Sequence, residues 1–164
     1  MLAKQSFADF ELPGTSDTSF KLSAQRGHPA VIYFYPKDNT PGCTTEGENF
    51  RDLYPQFQKL KCAVFGVSRD SLKSHENFKA KKEFPFELLS DADETACKQF
   101  GVIKMKNMYG RQVRGIERST FVFDSQGRLA REWRGVKVPG HAQEVLEFVK
   151  TLKSIIEPTC HEVT

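Results

Sequence analysis

The sequence predicts a mixed α/β fold in which helices cover both faces of a central sheet. Residues 30–35 and 63–67 are runs of mostly β-branched, aromatic and small apolar residues, a pattern typical of strands that are buried on both faces. Segments with helical characteristics follow both runs. With 164 residues, the chain is long enough for one such core, so we expect a single domain over residues 1–164.

The N-terminal part of the chain opens with a predicted β-hairpin. Residues 7–12 and 19–22 flank the sequence Pro-Gly-Thr-Ser-Asp, which favours a chain reversal. After the strand at 30–35, a polar turn leads into a helix that starts at Thr40. The apolar stripe of this helix consists of Phe50, Leu53, Tyr54, Phe57 and Leu60.

Two shorter helices are predicted after the second buried strand. Ser71 can cap the first of them, which runs to about residue 83. Asp91 or Asp93 can cap the second, which ends near Phe100. Serine and aspartate are frequent at such positions because their side-chain oxygens accept hydrogen bonds from the free amides of the first turn.

The C-terminal part is predicted to form a second hairpin and a last helix. Residues 119–123 and 128–133 flank the turn Asp-Ser-Gln-Gly. The helix starts at Pro139 or Gly140, and we expect a loosely held tail over residues 157–164. Strands that alternate with helices and end in an antiparallel hairpin favour a thioredoxin-like fold, here with an N-terminal β-hairpin extension.

Charge and hydropathy exclude several classes of protein. A net charge of +3 is too small for a nucleic-acid-binding surface, and the basic run at Lys79, Lys81 and Lys82 is interpreted as a solvated helix face. No segment approaches the roughly 18 apolar residues of a membrane span, and the N-terminus lacks the features of a secretory signal. We therefore expect a cytoplasmic protein with no nucleic-acid partner and no membrane association.

The cysteines are widely spaced and form no Cys-x-x-Cys motif, so a zinc ribbon or a thioredoxin-type dithiol is not predicted. No metal and no cofactor are expected. The four cysteines are Cys43, Cys62, Cys97 and Cys160. Three histidines show no partner pattern and are predicted to lie on the surface: His28, His75 and His141.

The sequence Thr40-Pro41-Gly42-Cys43 has the features of a helix start. Thr40 is predicted as the N-cap, with its hydroxyl accepting from a first-turn amide, and proline is favoured directly after the cap. Cys43 then lies in the first turn, where the helix N-terminus stabilises an anion such as a thiolate. This spacing alone leaves two interpretations open, because Cys43 could be a reactive thiol or an incidental small residue.

Residues 33–46, Tyr-Phe-Tyr-Pro-Lys-Asp-Asn-Thr-Pro-Gly-Cys-Thr-Thr-Glu, resemble the peroxiredoxin signature Pro-x-x-x-Thr-x-x-Cys-x-x-Glu. The details resemble the bacterioferritin comigratory protein, or peroxiredoxin Q, branch. Residues 115–121 are similar to the segment that carries the active-site arginine of the family, and residues 107–110 also resemble this branch. The similarity extends from Phe7 to about Leu152.

The resemblance implies a role for each matching residue. Cys43 corresponds to the peroxidatic cysteine, whose thiolate attacks the O–O bond of a peroxide. Thr40 corresponds to the residue that contacts thiolate and peroxide, Pro36 to the proline that shields the sulfur, and Arg118 to the arginine that stabilises the thiolate. Glu46 is the acidic member of the signature.

The implied activity is thiol-dependent reduction of hydrogen peroxide and organic hydroperoxides. The Thr40 hydroxyl, the Cys43 amide and the Arg118 guanidinium are the expected donors to the peroxide.

The chain departs from this branch at the resolving cysteine. The two positions where the branch carries that residue are Glu48 and Lys79 in this sequence. We therefore expect a one-cysteine cycle in which an external thiol reduces the oxidised Cys43. The external thiol would be glutathione with glutaredoxin, or thioredoxin. This branch is often monomeric, and no exposed apolar stripe contradicts a monomer here.

The remaining cysteines are weaker candidates for resolution. Cys62 opens a predicted buried strand, and core packing is its expected role. Cys97 and Cys160 are the possible resolving residues, the first on a short helix and the second in the tail. Two other functions stay open. A thiol–disulfide oxidoreductase is disfavoured without a Cys-x-x-Cys partner, whereas the missing resolving cysteine leaves room for a redox sensor.

Overall fold

The computed structural model describes residues 7–163, apart from the side chains of residue 108 and of residues 153–163. Its nine strands are β1 (Glu11–Gly14), β2 (Thr18–Lys21), β3 (Ala30–Phe34), β4 (Ala63–Ser68), β5 (Glu87–Ser90), β6 (Ile103–Met108), β7 (Arg111–Ile116), β8 (Ser119–Phe123) and β9 (Leu129–Arg134). Its four α-helices are α1 (Pro41–Lys59), α2 (Leu72–Lys82), α3 (Thr95–Gln99) and α4 (His141–Val163).

Seven of the strands form one mixed sheet in the order β2-β1-β5-β4-β3-β8-β9. The three central strands, β5, β4 and β3, run parallel, whereas β8 and β9 on one side and β1 and β2 on the other pair in antiparallel fashion. This arrangement confirms the predicted thioredoxin-like fold with a mixed central sheet and an N-terminal hairpin.

Both faces of the sheet are buried, as the apolar character of β3 predicts. Val31 and Tyr33 point into one core together with Phe50 and Phe57 of α1 and with the apolar side of α4. Ile32 and Phe34, the alternate residues of β3, point into a second core on the other face. The second core includes Phe10, Phe20, Ala96, Phe100, Phe121 and Phe123.

Two features of the sheet were not predicted. Strand β5 has only four residues, too few for a recognisable alternation. Strands β6 and β7 form a separate two-stranded sheet, and half of the residues in each are charged or polar. Most of their described side chains are exposed, so these strands have no continuous apolar run like the one that marks β3.

Two predicted capping residues, Ser71 and Asp91, bind first-turn amides of α2 and α3. Ser71 caps α2 by accepting a hydrogen bond from the Ser74 amide at 3.2 Å. The Asp91 carboxylate accepts from the amides of Ala96 and Cys97 at 3.1 and 2.7 Å, and in this way it caps the first turn of α3. The expected loose tail, residues 157–164, overlaps α4, because the helix extends to Val163; the side chains of residues 153–163 are not described. Over the described residues, no helix is long and apolar enough to cross a membrane.

Close packing between α1 and the segment before β5 gives a test of the fold. A Cβ atom on Gly47 would lie 3.0 Å from two ring carbons of Phe84 and closer still to Cζ. Alanine favours a helix over glycine by about 1 kcal/mol, but overpacking costs about 1–3 kcal/mol. We expect Gly47→Ala to lower the free energy of unfolding in urea by ~1 kcal/mol. The control is Gly115→Ala, where a Cβ meets nothing within 4 Å; an equal loss in both variants would contradict this packing.

Candidate active site

The pairing of β3 with β8 brings together two parts of the site that are far apart in sequence. The antiparallel register places Phe34, the last residue of β3, opposite Ser119, the first residue of β8. The chain leaves β3 towards Cys43 at the same edge of the sheet where Arg118 precedes β8. This register brings together two side chains that are 75 residues apart in sequence. The Arg118 Nη2 atom lies 3.5 Å from Cys43 Sγ.

Cys43 occupies the first turn of α1, as the sequence predicts. Asn39 has a left-handed backbone with φ of 64°, a conformation that asparagine tolerates better than most residues. It turns the chain into the helix, whose first hydrogen bond joins the Thr44 amide to the Thr40 carbonyl at 2.8 Å. The Gly42 and Cys43 amides precede this bond and have no acceptor within the helix. The Cys43 side chain is buried, with 2% exposure.

The Thr40 hydroxyl does not cap the helix, which corrects the predicted hydrogen bond. Thr40 is the N-cap residue by position, but its side chain accepts no bond from the helix. Its Oγ1 instead donates to the Lys37 carbonyl oxygen at 2.8 Å. Because a threonine hydroxyl has only one hydrogen, Thr40 can offer other partners only lone pairs. In this geometry it is an acceptor, and not the donor that we expected.

Arg118 joins Cys43 to a buried carboxylate. Its Nη1 atom donates to Glu46 Oε1 at 2.6 Å, while Nη2 faces the sulfur. A Cβ atom on Gly42 would lie 3.1 Å from Arg118 Nη2, so glycine leaves room for the guanidinium beside the first turn. A planar guanidinium is well suited to this bridge, because it presents donors in two directions at fixed geometry.

Glu46 is unusual because it is a buried carboxylate with an unpaired oxygen. Only 1% of the residue is exposed, and Oε2 has no hydrogen-bond partner among the described atoms. Burial raises the pKa of Glu46 to about 7, although Arg118 opposes this shift. Burial also disfavours the charged form of Arg118, but Glu46 and Cys43 outweigh it and raise the Arg118 pKa.

Cys62 and Cys97 are buried, and within the described part of the chain both are free thiols. Burial raises the pKa of Cys62 to about 12. Burial, with a contribution from Asp91, also raises the pKa of Cys97 strongly. Cys97 lies in the core on the opposite face of the sheet from Cys43. Both thiols are therefore poor nucleophiles in the folded protein. Cys160 lies outside the residues whose side chains are described.

Glu48 and Lys79, at the two positions where the peroxiredoxin Q branch is expected to carry a resolving cysteine, both form ion pairs. Glu48 Oε2 lies 4.0 Å from Lys82 Nζ, which joins α1 to α2. Lys79 Nζ lies 3.9 Å from Glu87 Oε1, which joins α2 to β5. These pairs are partly exposed and each contributes little to stability. Both pairs nevertheless connect α2 to a neighbouring element, α1 in one case and β5 in the other.

Two of the three histidines predicted on the surface are buried, at 0% exposure for His75 and 4% for His141. His141 Nε2 lies 2.8 Å from Thr120 Oγ1, and burial lowers the pKa of His141 to about 4. His75 bonds to Asp38 and to the Leu89 carbonyl. No local sequence pattern indicates these contacts, because each partner is distant along the chain.

Asp38, Asp70 and His75 place their ligand atoms within 4.8 Å of one another, as a metal site would. Hydrogen bonds already use these atoms. His75 Nε2 is 3.0 Å from the Leu89 carbonyl, and Nδ1 is 2.7 Å from Asp38 Oδ2. Asp70 Oδ2 accepts from the Asp38 amide and from Ser68 Oγ. The donor set is therefore satisfied by the protein itself.

Comparison with known proteins agrees with this geometry. Residues 3–132 match the AhpC/TSA family, and the chain belongs to that family. It is a peroxiredoxin, an oxidoreductase class that reduces peroxides with a cysteine thiol.

The relatives place the chain in the bacterioferritin comigratory protein or peroxiredoxin Q branch. Peroxiredoxin Bcp of Xanthomonas campestris pv. campestris is 56% identical over 148 residues, 87% of this chain and 91% of the relative. Peroxiredoxin Bcp of Bacillus subtilis is 46% identical over 148 residues, 90% and 94% of the two chains. A solved structure concerned with alkyl peroxide reduction by the Xanthomonas campestris bacterioferritin comigratory protein has a TM-score of 0.84 at 53% identity, over 88% of this chain and 92% of that one.

The raised pKa of Glu46 predicts a pH-dependent stability. Between 4.5, the ordinary value, and about 7, the folded protein holds a proton that the unfolded chain releases. The free energy of unfolding should therefore fall by up to about 3 kcal/mol as pH rises through this window. Glu46→Gln removes this dependence, so its stability relative to wild type should increase with pH in urea titrations. Glu48→Gln is the matched control, and a constant difference between wild type and Glu46→Gln would contradict the shift.

Proposed function

We propose that Cys43 is the peroxidatic residue, and that it reduces hydrogen peroxide and organic hydroperoxides. The contact between Arg118 Nη2 and Cys43 Sγ at 3.5 Å carries this proposal. A fixed cation beside a sulfur at a helix N-terminus favours the thiolate, the form of cysteine that acts as a nucleophile.

The proposed step oxidises Cys43 to a sulfenic acid. The thiolate attacks one peroxide oxygen, so that an S–O bond forms while the O–O bond breaks. The sulfur loses two electrons to the peroxide, the transferred oxygen keeps its hydrogen, and the departing alkoxide or hydroxide takes a proton from solvent. The Arg118 guanidinium and the Cys43 amide are donors to the peroxide oxygens. The Thr40 oxygen accepts a hydrogen bond from the peroxide O–H, because its own hydrogen is bonded to the Lys37 carbonyl.

Thiolate formation alone does not make a fast peroxidase. An ordinary thiol is a few per cent ionised at neutral pH, so complete ionisation gains at most about 30-fold in rate. A donor aimed at charge that develops in the transition state contributes about 10²–10³-fold. Arg118 therefore contributes more by orienting and stabilising the peroxide than by ionising the sulfur.

Burial of Cys43 sets a limit on access to the sulfur. The residue is only 2% exposed, and we propose that Pro36 shields its sulfur from solvent. Pro36 directly follows Tyr35, whose amide donates to the Val67 carbonyl at 3.0 Å. The hydrogen bonding of β3 with β4 therefore extends to the residue before Pro36. Such shielding limits side reactions of the sulfur while it admits a small peroxide.

For the return to thiol we propose a one-cysteine cycle. An external thiol attacks the sulfenic acid, which releases water and leaves a mixed disulfide on Cys43. A second thiol then reduces this disulfide and regenerates Cys43. The raised pKa values of Cys62 and Cys97, together with the ion pairs at Glu48 and Lys79, support the use of an external thiol.

We propose thioredoxin, or glutathione with glutaredoxin, as the source of that thiol, with the protein acting as a monomer in the cytoplasm. Three described cysteines are free, as is usual in a reducing compartment. A redox sensor is the second candidate. The near-complete burial of Cys43 favours it, because a bulky reductant reaches the sulfur only after a local rearrangement.

Substitution of Arg118 tests the proposed mechanism. We expect Arg118→Ala to lower the second-order rate constant of Cys43 with hydrogen peroxide by about 10²–10³-fold in stopped-flow experiments. Arg118→Lys should be intermediate, since an ammonium cannot bridge sulfur and oxygen. Cys43→Ser is the control and should consume no peroxide. Alkylation of Cys43 by iodoacetamide at the same pH reports the thiolate fraction. If alkylation slowed as much as peroxide reduction, transition-state stabilisation by Arg118 would be refuted.

Oxidation by one equivalent of peroxide tests the one-cysteine cycle. Intact mass and peptide mapping should find a sulfenic acid at Cys43, trapped by dimedone, with the other cysteines still alkylatable. Cys160→Ser should behave like wild type. A disulfide from Cys43 to Cys62, Cys97 or Cys160 would exclude the cycle. Rapid oxidation without turnover under any reductant would favour the sensor.

A further inference from the structure

A buried polar network holds the loop between β3 and α1, and the proposed chemistry does not use it. Asp38, in that loop, is 5% exposed. Its carboxylate accepts from Tyr35 Oη at 2.6 Å and from Ser74 Oγ at 2.8 Å. His75 Nδ1 lies 2.7 Å from the same group. Both Ser74 and His75 belong to α2, so the network joins that helix to the loop.

The hydrogen-bond geometry gives His75 a partner on each ring nitrogen. The Leu89 carbonyl can only accept, so His75 Nε2 carries a proton and donates to it at 3.0 Å. The other ring nitrogen, Nδ1, lies 2.7 Å from Asp38 Oδ2. The imidazole therefore joins the Asp38 carboxyl group to the backbone of β5.

The contact between Asp38 and His75 lies close in sequence to the Thr40 hydroxyl. The Asp38 amide donates to Asp70 Oδ2 at 2.9 Å, and Lys37, the preceding residue, supplies the carbonyl that orients Thr40. Both the side chain and the backbone of Asp38 are therefore anchored outside the loop. If Asp38 moved, the Lys37 carbonyl and the Thr40 lone pairs would move with it.

We propose that His75 is a positioning residue for the peroxide reaction, acting through Asp38 on the loop that orients Thr40. The inference rests on the proposed function of Cys43 and extends it to a residue of α2. Because a displacement of about 1 Å in a positioning group can cost up to about 10²-fold in rate, loss of this anchor should be measurable.

Two substitutions of similar size separate positioning from simple packing. The amide nitrogen of asparagine falls near Nδ1 of histidine, so His75→Asn retains a donor to Asp38. The amide nitrogen of glutamine falls near Nε2, so His75→Gln retains a donor to the Leu89 carbonyl. Both variants lose the imidazole ring, and both place a neutral amide on α2.

The readout is the ratio of two rates at Cys43. Reaction with hydrogen peroxide needs the oriented Thr40 hydroxyl, whereas alkylation by iodoacetamide needs only an accessible thiolate. We expect His75→Gln to lower the peroxide rate constant about 10- to 100-fold and to change alkylation far less. His75→Asn should recover most of the peroxide rate. Phe78→Leu, a buried change in the same helix, should leave the ratio unchanged.

The outcomes are distinct. Equal impairment of His75→Asn and His75→Gln, a wild-type peroxide rate in His75→Gln, or a parallel loss of both reactions would each overturn the positioning role. If neither histidine variant folds, Tyr35→Phe removes one donor to Asp38 and should lower the same ratio; an unchanged ratio would again overturn the inference. If wild-type Cys43 failed to react with peroxide at all, the proposed function itself would fail.

Discussion

The Arg118 guanidinium is the group on which the candidate site depends. It reaches Cys43 Sγ with one nitrogen and Glu46 Oε1 with another. The pairing of β3 with β8 makes this possible, because it aligns the end of one strand with the start of the other. The sheet therefore does more than form two cores, since its register fixes the distance between a cation and a sulfur.

Burial of the Glu46 carboxylate lowers the stability of the folded protein. A buried carboxylate with one unpaired oxygen is destabilising unless it is protonated or paired. Arg118 pairs with it, and this contact restrains the guanidinium at the same time. Asp38 and His75 provide a comparable restraint on the loop to α1, which carries Thr40. Two buried polar networks therefore hold residues next to Cys43 in sequence and in space.

The sequence was sufficient for the fold class and for the helix start at Cys43, because strand burial and capping leave local patterns. It was insufficient where the deciding contact is distant. The hydroxyl of Thr40 bonds back to Lys37 instead of capping the helix, since that carbonyl is within reach only once Asn39 turns the chain. His75 looked like a surface residue because its partners lie on another loop and another strand. Strand β5 is too short for a clear pattern, and the mostly exposed β6–β7 hairpin has no buried apolar run, so neither was predicted.

A double-mutant cycle tests most directly whether Glu46 acts through Arg118 on Cys43. The second-order rate constant of Cys43 with hydrogen peroxide would be measured for wild type, Glu46→Gln, Arg118→Ala and the double variant. If Glu46 acts through Arg118, Glu46→Gln should slow the reaction about 10-fold in the wild-type background and have little effect once Arg118 is replaced. This difference corresponds to an interaction energy of about 1 kcal/mol or more between the two residues. Equal effects of Glu46→Gln in both backgrounds would contradict the coupling.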